Sequence, residues 1–374
     1  MCDSSQENHN PETKKLAVAD AVGTVLAHDV TEIRPGEFKG RAFKKGHIIR
    51  KEDVCHLQRL GKENLFVLNI AEDEMHEDEA AYALAHALMG EGVQIKGGPE
   101  EGKINIVAER DGLLRINKET LLEFNMLGEV MCATLHNNTL VKKGWTVAGT
   151  RAIPLILKKE LVQAAARIGE NVGGIIHVKK MRKPRVGLVI TGNEVYYGRI
   201  KDAFAPGISN KIKAVGGIIV GTYYAPDDEN FIEARLRELI NAGADLLITT
   251  GGMSVDPDDV TRFAIRNLGA IDITYGSAVL PGAMFLTAYL VRPEVKGQKQ
   301  GLGDATQDNP ELIPILGIPA CGMYARTTVL DLILPRVLTG EKIGRSELAE
   351  LGHGGLCTKC AVCRYPVCSF GKGA

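Results

Sequence analysis

The chain has 374 residues, 45% of them hydrophobic, enough for two or three domains with real cores. Its net charge is −1 and its aromatic content 5%, which argues against nucleic acid and against a charged membrane surface. The first 15 residues are polar and no apolar run is long enough to span a bilayer, so a cytoplasmic protein is expected.

Residues 1–15 read as disordered. Over 16–70 the chain alternates short strands and turns (Ala21 to Asp29, then Arg34-Pro-Gly36), with a helix from Lys51 to Gly61 and a strand from Leu65 to Ile70. Residues 72–79 hold six acids and read as a solvated loop or helix start. Ala80 to Met89 is a small-residue helix ended by Gly90. Lys103 to Pro154 alternates apolar runs with turns and suggests a small β-rich module, and Leu155 to Gly169 reads as a helix. Residues 71–182 are therefore a helical segment plus a β-rich module. The basic, proline-bearing Arg182-Lys-Pro-Arg185 marks a boundary, with a new domain over 183–340.

Beyond it, strands and helices alternate. Val186 to Ile190, Ile218 to Tyr223, Leu246 to Thr249 and Leu312 to Leu316 are apolar strands. Ile208 to Val215, Asp228 to Ala242, Val260 to Leu268 and Tyr324 to Leu338 are helices, the last interrupted by Pro335. Continuous apolar strands between amphipathic helices predict an α/β domain, a parallel or mixed sheet flanked by helices, preceded by a smaller β-rich α+β region. Ligands of such sheets bind beyond the carboxyl ends of the strands. Three of those ends carry acids: Thr191-Gly-Asn-Glu194, Pro226-Asp-Asp228, and Thr249-Thr-Gly-Gly-Met-Ser-Val-Asp-Pro-Asp-Asp259. Adjacent glycines allow close approach of a ligand to backbone, a following helix offers N–H groups to an anion, and carboxylates suit a hard cation. Asp228 and either Asp258 or Asp259 could instead simply cap the next helix.

Val189-Ile-Thr-Gly-Asn-Glu-Val195, Gly198-Arg-Ile-Lys-Asp202, Asp227-Asp228 and Thr250-Gly-Gly-Met-Ser-Val255 with Asp259 resemble, in order and spacing, the molybdopterin-binding domain. That domain is shared by molybdopterin molybdotransferases and adenylyltransferases, and Val22-Gly-Thr-Val-Leu-Ala-His-Asp29 is similar to the opening of the molybdotransferase type. The resemblance implies molybdopterin, or its adenylylated form, lying across the strand ends. It implies Glu194, Asp227 and Asp259 as the catalytic acids of a Mg²⁺ and molybdate site. Thr191, Gly192, Asn193, Thr250, Gly251, Gly252, Ser254, Pro281, Gly282 and Pro319 are the expected ligand-binding residues.

This chain also departs from the family. The Lys-Pro-Gly-Lys-Pro turn becomes Leu280-Pro-Gly-Ala-Met284, the Leu-Pro-Gly-Asn-Pro turn becomes Ile318-Pro-Ala-Cys-Gly322, an expected Asn is Phe204, and Asp256 stands for Gly. The family's C-terminal β-domain has no counterpart after Gly340. Lost lysines favour a molybdopterin-binding carrier, chaperone or sensor in cofactor biosynthesis, with a molybdoenzyme or another biosynthesis protein as partner. Retained acids favour the alternative, a molybdotransferase inserting molybdate. A homo-oligomer is compatible with either.

Residues 350–374 form a cysteine-rich tail. Cys357, Cys360, Cys363 and Cys368 have metal-ligand spacing, and both a [4Fe-4S] cluster and Zn²⁺ fit it. Cys2, Cys55, Cys132 and Cys321 are scattered and read as buried or inert thiols.

Overall fold

The computed structural model describes residues 14–34, 38–253, 260–292 and 312–373. They divide into two compact units. The first comprises residues up to Glu109, Ile116–Leu135 and Lys143–His177; the second comprises Arg110–Arg115, His136–Lys142 and the chain from Val178 onward. Disorder is expected over residues 1–15; residues 1–13 lie outside the described residues, whereas Lys14 and Lys15 are paired in a strand opposite Val67 and Phe66.

The first unit opens with three short antiparallel strands, Lys14–Ala17, Asn64–Leu68 and Val25–Leu26. Together with the helix Lys51–Arg59 they enclose Val18, Leu26, Ile49, Leu57 and Val67. A four-stranded antiparallel sheet (Val130–Thr134, Thr146–Ala152, Lys103–Ala108, Val93–Glu100) then supports two helices, Glu77–Leu88 and Lys159–Glu170. These helices meet at a glycine: a Cβ on Gly169 would lie 2.0 Å from the carbonyl oxygen of Ala87. The acidic segment does start a helix, but not a wholly solvated one, because Glu77 is only 4% exposed. Ile156–Lys158 pair as a strand, with Ile156 opposite His76, before their helix begins.

In the second unit six strands form one sheet: β1 (Arg185–Thr191), β2 (Ile218–Ala225), β3 (Leu246–Thr250), β4 (Ile271–Tyr275), β5 (Leu286–Val291) and β6 (Leu312–Ile318). Their order is β2-β1-β3-β6-β5-β4. The first four are parallel, and β5 and β4 are antiparallel additions. The mixed α/β sheet read from the sequence is thus observed, while β4 and β5 were not legible there. Each strand's side chains alternate between two cores. Val186, Leu188, Ile190, Leu246, Ile248, Leu316 and Ile318 face α1 (Phe204–Ala214) and α4 (Val329–Leu338). Val189, Leu247, Ile313, Ile315 and Leu286 face α2 (Glu229–Asn241) and α3 (Thr261–Asn267). The result is three layers, helix–sheet–helix.

Helix starts follow local chemistry. Asp228 accepts from the Phe231 N–H at 2.7 Å and caps α2, and Asp202 accepts from the Phe204 N–H at 2.7 Å just before α1. Thr328 and Asp331 form a capping box, so α4 starts at Val329 rather than Tyr324. It continues through Pro335 to Leu338, because all ten of its residues except the half-buried Asp331 are buried. That burial outweighs the roughly 3 kcal/mol that an interior proline costs. Behind α4, Arg336 grips Glu341 through contacts of 2.6 and 2.9 Å, and Arg115 adds a third at 2.9 Å. Burial alone would raise the Glu341 carboxyl; the two guanidinium groups outweigh it and hold it below its usual range.

Burial, reinforced by Asp78, pushes the Glu77 carboxyl up to about 7 against the pull of Arg151 and Lys45. The folded chain then keeps a proton that the unfolded chain has already released, so stability falls as pH rises from about 5 to 7. Urea unfolding across this window should show a loss on the order of 1–3 kcal/mol in the wild type. Glu77→Gln should flatten that slope. Parallel pH profiles for the two proteins would rule the assignment out.

Candidate functional site

Parallel pairing levels the strand ends of the second unit. Thr191 of β1 stands opposite Ala225 of β2, Ile190 opposite Thr250 of β3, and Thr250 opposite Ile318 of β6. β5 runs the other way, with Leu286 opposite Gly317, so the turn before it reaches the same edge. Thr191–Glu194, Pro226–Asp227, Thr250–Gly252, Pro281–Gly282 and Pro319–Gly322 therefore gather along one edge of one sheet.

The centre of that edge is a web of threonines. Thr191, 2% exposed, donates its hydroxyl to the Thr250 carbonyl at 2.6 Å and lies 3.1 Å from the Thr261 hydroxyl. The Gly251 N–H donates to the Ile318 carbonyl at 3.2 Å, tying the turn to β6. Gly251 and Gly252 have φ of +76° and +56°. A Cβ on Gly251 would lie 2.6 Å from the Thr191 carbonyl oxygen, and one on Gly252 would lie 2.3 Å from Thr261 Oγ1. Glycine is therefore required twice, by backbone conformation and by space. The Thr250 hydroxyl is buried and has no hydrogen-bond partner among the described residues. A buried hydroxyl left in that state costs about 1–3 kcal/mol.

Beside the web, Gly192 (φ +136°) turns the chain into the one-turn helix Asn193–Tyr196. The Asn193 N–H donates to Asp227 Oδ2 at 3.0 Å, and the Asp227 N–H donates to Asn193 Oδ1 at 3.3 Å. This exchange locks the β1 and β2 turns together and directs one carboxylate oxygen of Asp227 to structure. Glu194 is exposed on the same turn. Ser254 and Asp259 lie outside the described residues, as do Asp256 and Asp258. Among the described residues no three His, Cys, Asp or Glu side chains stand together as a metal-binding group.

On the far side of β6, the Pro281 carbonyl accepts from the Val329 N–H at 3.2 Å. Gly282 (φ +138°) is pressed against Val329, where a Cβ would meet Cγ1 at 2.5 Å. The Pro319 carbonyl accepts from the Gly322 N–H at 2.9 Å. Phe204, in place of the family's Asn, is buried beneath that turn, 3.4 Å from where a Gly322 Cβ would stand.

Residues 187–339 match a family model described as a probable molybdopterin binding domain. This segment is a molybdopterin-binding domain. Residues 15–69 match a domain of unknown function (DUF8806). CinA-like proteins are similar over a short stretch: that of Mycobacterium avium (strain 104) is 39% identical over 89 residues, 22% of this chain and 20% of its own. That of Mycobacterium tuberculosis (strain ATCC 25177 / H37Ra) is 38% identical over 77 residues, 21% and 18% respectively. The chain thus spans about a fifth of the length of these curated relatives. Among solved structures, the tungsten cofactor synthesizing protein MoaB from Pyrococcus furiosus is 18% identical with a TM-score of 0.30, covering 41% of this chain and 92% of its own.

The cysteine tail packs onto this molybdopterin-binding domain. Leu280 donates its N–H to the Gly355 carbonyl at 2.9 Å and accepts from the Cys357 N–H at 2.8 Å. The Tyr365 hydroxyl, whose proton burial holds more tightly than usual, donates to the Asp331 carbonyl at 2.7 Å. Phe370 is buried in the α4 core. Lys372, 8% exposed and pushed down to about 8 by burial, donates to the Asn138 carbonyl and the Thr139 hydroxyl. Cys363 is exposed; a hydrogen bond from Thr327, with the Tyr365 N–H adding to it, lowers its thiol from the ordinary range. Cys321, classed from sequence among the scattered thiols, lines one cavity with the four tail cysteines. Its signal was available only as a substitution inside the Ile318–Gly322 turn. Cys132 does behave as an inert thiol, buried and pushed up to about 12.

Gly252→Ala should lower the stability of this domain by about 2–4 kcal/mol, from positive-φ strain plus the collision with Thr261. Gly198→Ala, also at positive φ (+69°) but with nothing within 4 Å of the added Cβ, isolates the strain alone and should cost about 1–2 kcal/mol. Thermal melts of both variants check the difference. Equal losses would remove the packing argument for Gly252.

Proposed function

We propose that residues 187–339 bind molybdopterin, or its adenylylated form, across the strand ends, and that the protein carries or hands on this ligand instead of charging it with metal. The observation behind the reading is the Thr250-Gly251-Gly252 turn: two side-chain-free residues in a crowded edge, beside a buried hydroxyl without a partner among the described residues. Such a turn lets a phosphate approach backbone N–H groups closely. Glu194 and Asp227, on neighbouring strand ends, are the described carboxylates that would hold Mg²⁺, which neutralises phosphate charge when bound. The carrier reading is supported by the two turns on the other side of β6, whose Leu280–Met284 and Ile318–Gly322 contain no lysine. Each missing charge-assisted contact is worth about 1.5–3 kcal/mol of anion binding. In this reading the protein is cytoplasmic, its partner is a molybdoenzyme or another cofactor-biosynthesis protein, and the tail cysteines bind zinc or an iron–sulfur cluster.

A molybdotransferase is the second reading, and the specific observation in its favour is that Glu194 and Asp227 are both present at adjacent strand ends. Incubating the full-length protein with adenylylated molybdopterin, Mg²⁺ and molybdate separates the two. The carrier reading expects tight pterin binding with neither AMP release nor molybdenum incorporation, and Asp227→Asn should weaken binding by about ten-fold or more. Turnover that vanishes in Asp227→Asn would establish the transferase instead. Absence of pterin binding by the wild type would dismiss both.

A further inference from the structure

We propose that Cys321, Cys363 and two further cysteines of the tail are the four ligands of one thiolate metal centre, a zinc ion or an iron–sulfur cluster, seated in the cavity at the carboxyl edge of the sheet. This rests on the tail's being a metal-binding element and adds a ligand and a location to it. The cavity measures about 540 Å³ and is lined by Cys321, Cys357, Cys360, Cys363 and Cys368 together with Pro281. These are five of the eight cysteines in the chain, drawn from two segments more than thirty residues apart. All five are free thiols.

The charges of the cavity suit thiolates. Arg326, Lys359 and Arg364 line it, and no Asp or Glu does. A tetrahedral centre of four thiolates around a divalent ion carries two net negative charges, and the three cations offset them. A carboxylate lining would instead have suited a hard cation.

The backbone permits the sulfurs to converge. The tail is fastened at one end by its pairing with Leu280 and at the other by Phe370 and Lys372. Residues 358–369 between these anchors contain no helix or strand. Drawing their thiols inward therefore breaks no regular hydrogen-bond ladder. Among the described residues the sulfurs do not already form a metal-binding group, so binding must pull them together, with each thiol releasing its proton to solvent. Cys321 belongs to the turn at the end of β6, so its participation would fix the tail to the same edge that carries Pro319 and Pro281.

Co²⁺ titration of the reduced, full-length protein under argon provides the test, followed by thiolate-to-cobalt charge transfer and by competition with Zn²⁺. The wild type should bind about one equivalent with a tetrahedral spectrum. Cys321→Ser and Cys321→Ala should each lose at least ten-fold in affinity, as Cys363→Ser does, while Cys55→Ser in the first unit stays at the wild-type value. Far-UV circular dichroism confirms that each variant is folded. Iron and inorganic sulfide in anaerobically purified protein would mark the cluster form, and the same variants would then be scored on iron content. If Cys321 variants bind as the wild type does while Cys363→Ser fails, the tail binds metal without Cys321 and the inference is wrong. If the wild type binds neither Co²⁺, Zn²⁺ nor iron, the tail reading falls with it.

Discussion

The register of β1, β3 and β6 is the constraint on which the rest of the second unit depends. Side chains in a strand alternate with period two, so a slip of one residue would exchange the two cores and carry every turn to a new height. The observed register puts Ile190, Thr250 and Ile318 level and buries alternate residues against α1 and α4 on one face and α2 and α3 on the other. The Thr191 hydroxyl reinforces it by reaching across to the Thr250 carbonyl. Because the strands end level, short turns that are distant in the chain become neighbours. The antiparallel β5 then brings a fifth turn to the edge from the opposite direction.

Much of the polar chemistry at that edge holds the edge itself together. Asp228 and Asp202 cap helices, and Asp227 exchanges hydrogen bonds with Asn193. Among the described residues, the same edge also carries the exposed Glu194 and the glycine turn with its buried hydroxyls. The substitutions relative to the molybdopterin-binding family are likewise structural in part. Phe204 fills space under the 319–322 turn, which a shorter amide could not do to the same extent. The two turns beyond β6 thus carry no lysine where the family pattern has two.

The tail changes the surroundings of the edge. It joins the sheet's turn at Leu280, buries Phe370 against α4, and ends with Lys372 hydrogen-bonded to the 138–139 turn. Apolar burial and backbone pairing hold this segment, with Cys357 and Cys368 partly buried against the same core. The chain on either side of residues 358–369 supplies the positioning of the cysteines between them.

Local patterns in the sequence determined a good deal. The apolar runs of β1, β2, β3 and β6, the spacing of α2, and the Gly-Gly and Thr-Gly-Asn-Glu turns follow from periodicity and from backbone needs that only certain residues meet. Asp228 was legible as either a cap or a site acid, and the geometry makes it a cap. β4 and β5 escaped although Ile271-Asp-Ile-Thr-Tyr275 alternates apolar and polar residues, because so short a run beside glycine turns gives little to separate strand from loop. The burial of Glu77 and the company of Cys321 could not be read at all. Solvation and proximity depend on which segments fold over a residue, and those lie tens of residues away in the chain. The sequence by itself thus determined the domain type and the turns that carry its motifs. Tertiary structure alone decided which of their polar groups cap helices or tie turns together and which thiols line one cavity, because long-range packing, and not local propensity, sets the distance between them.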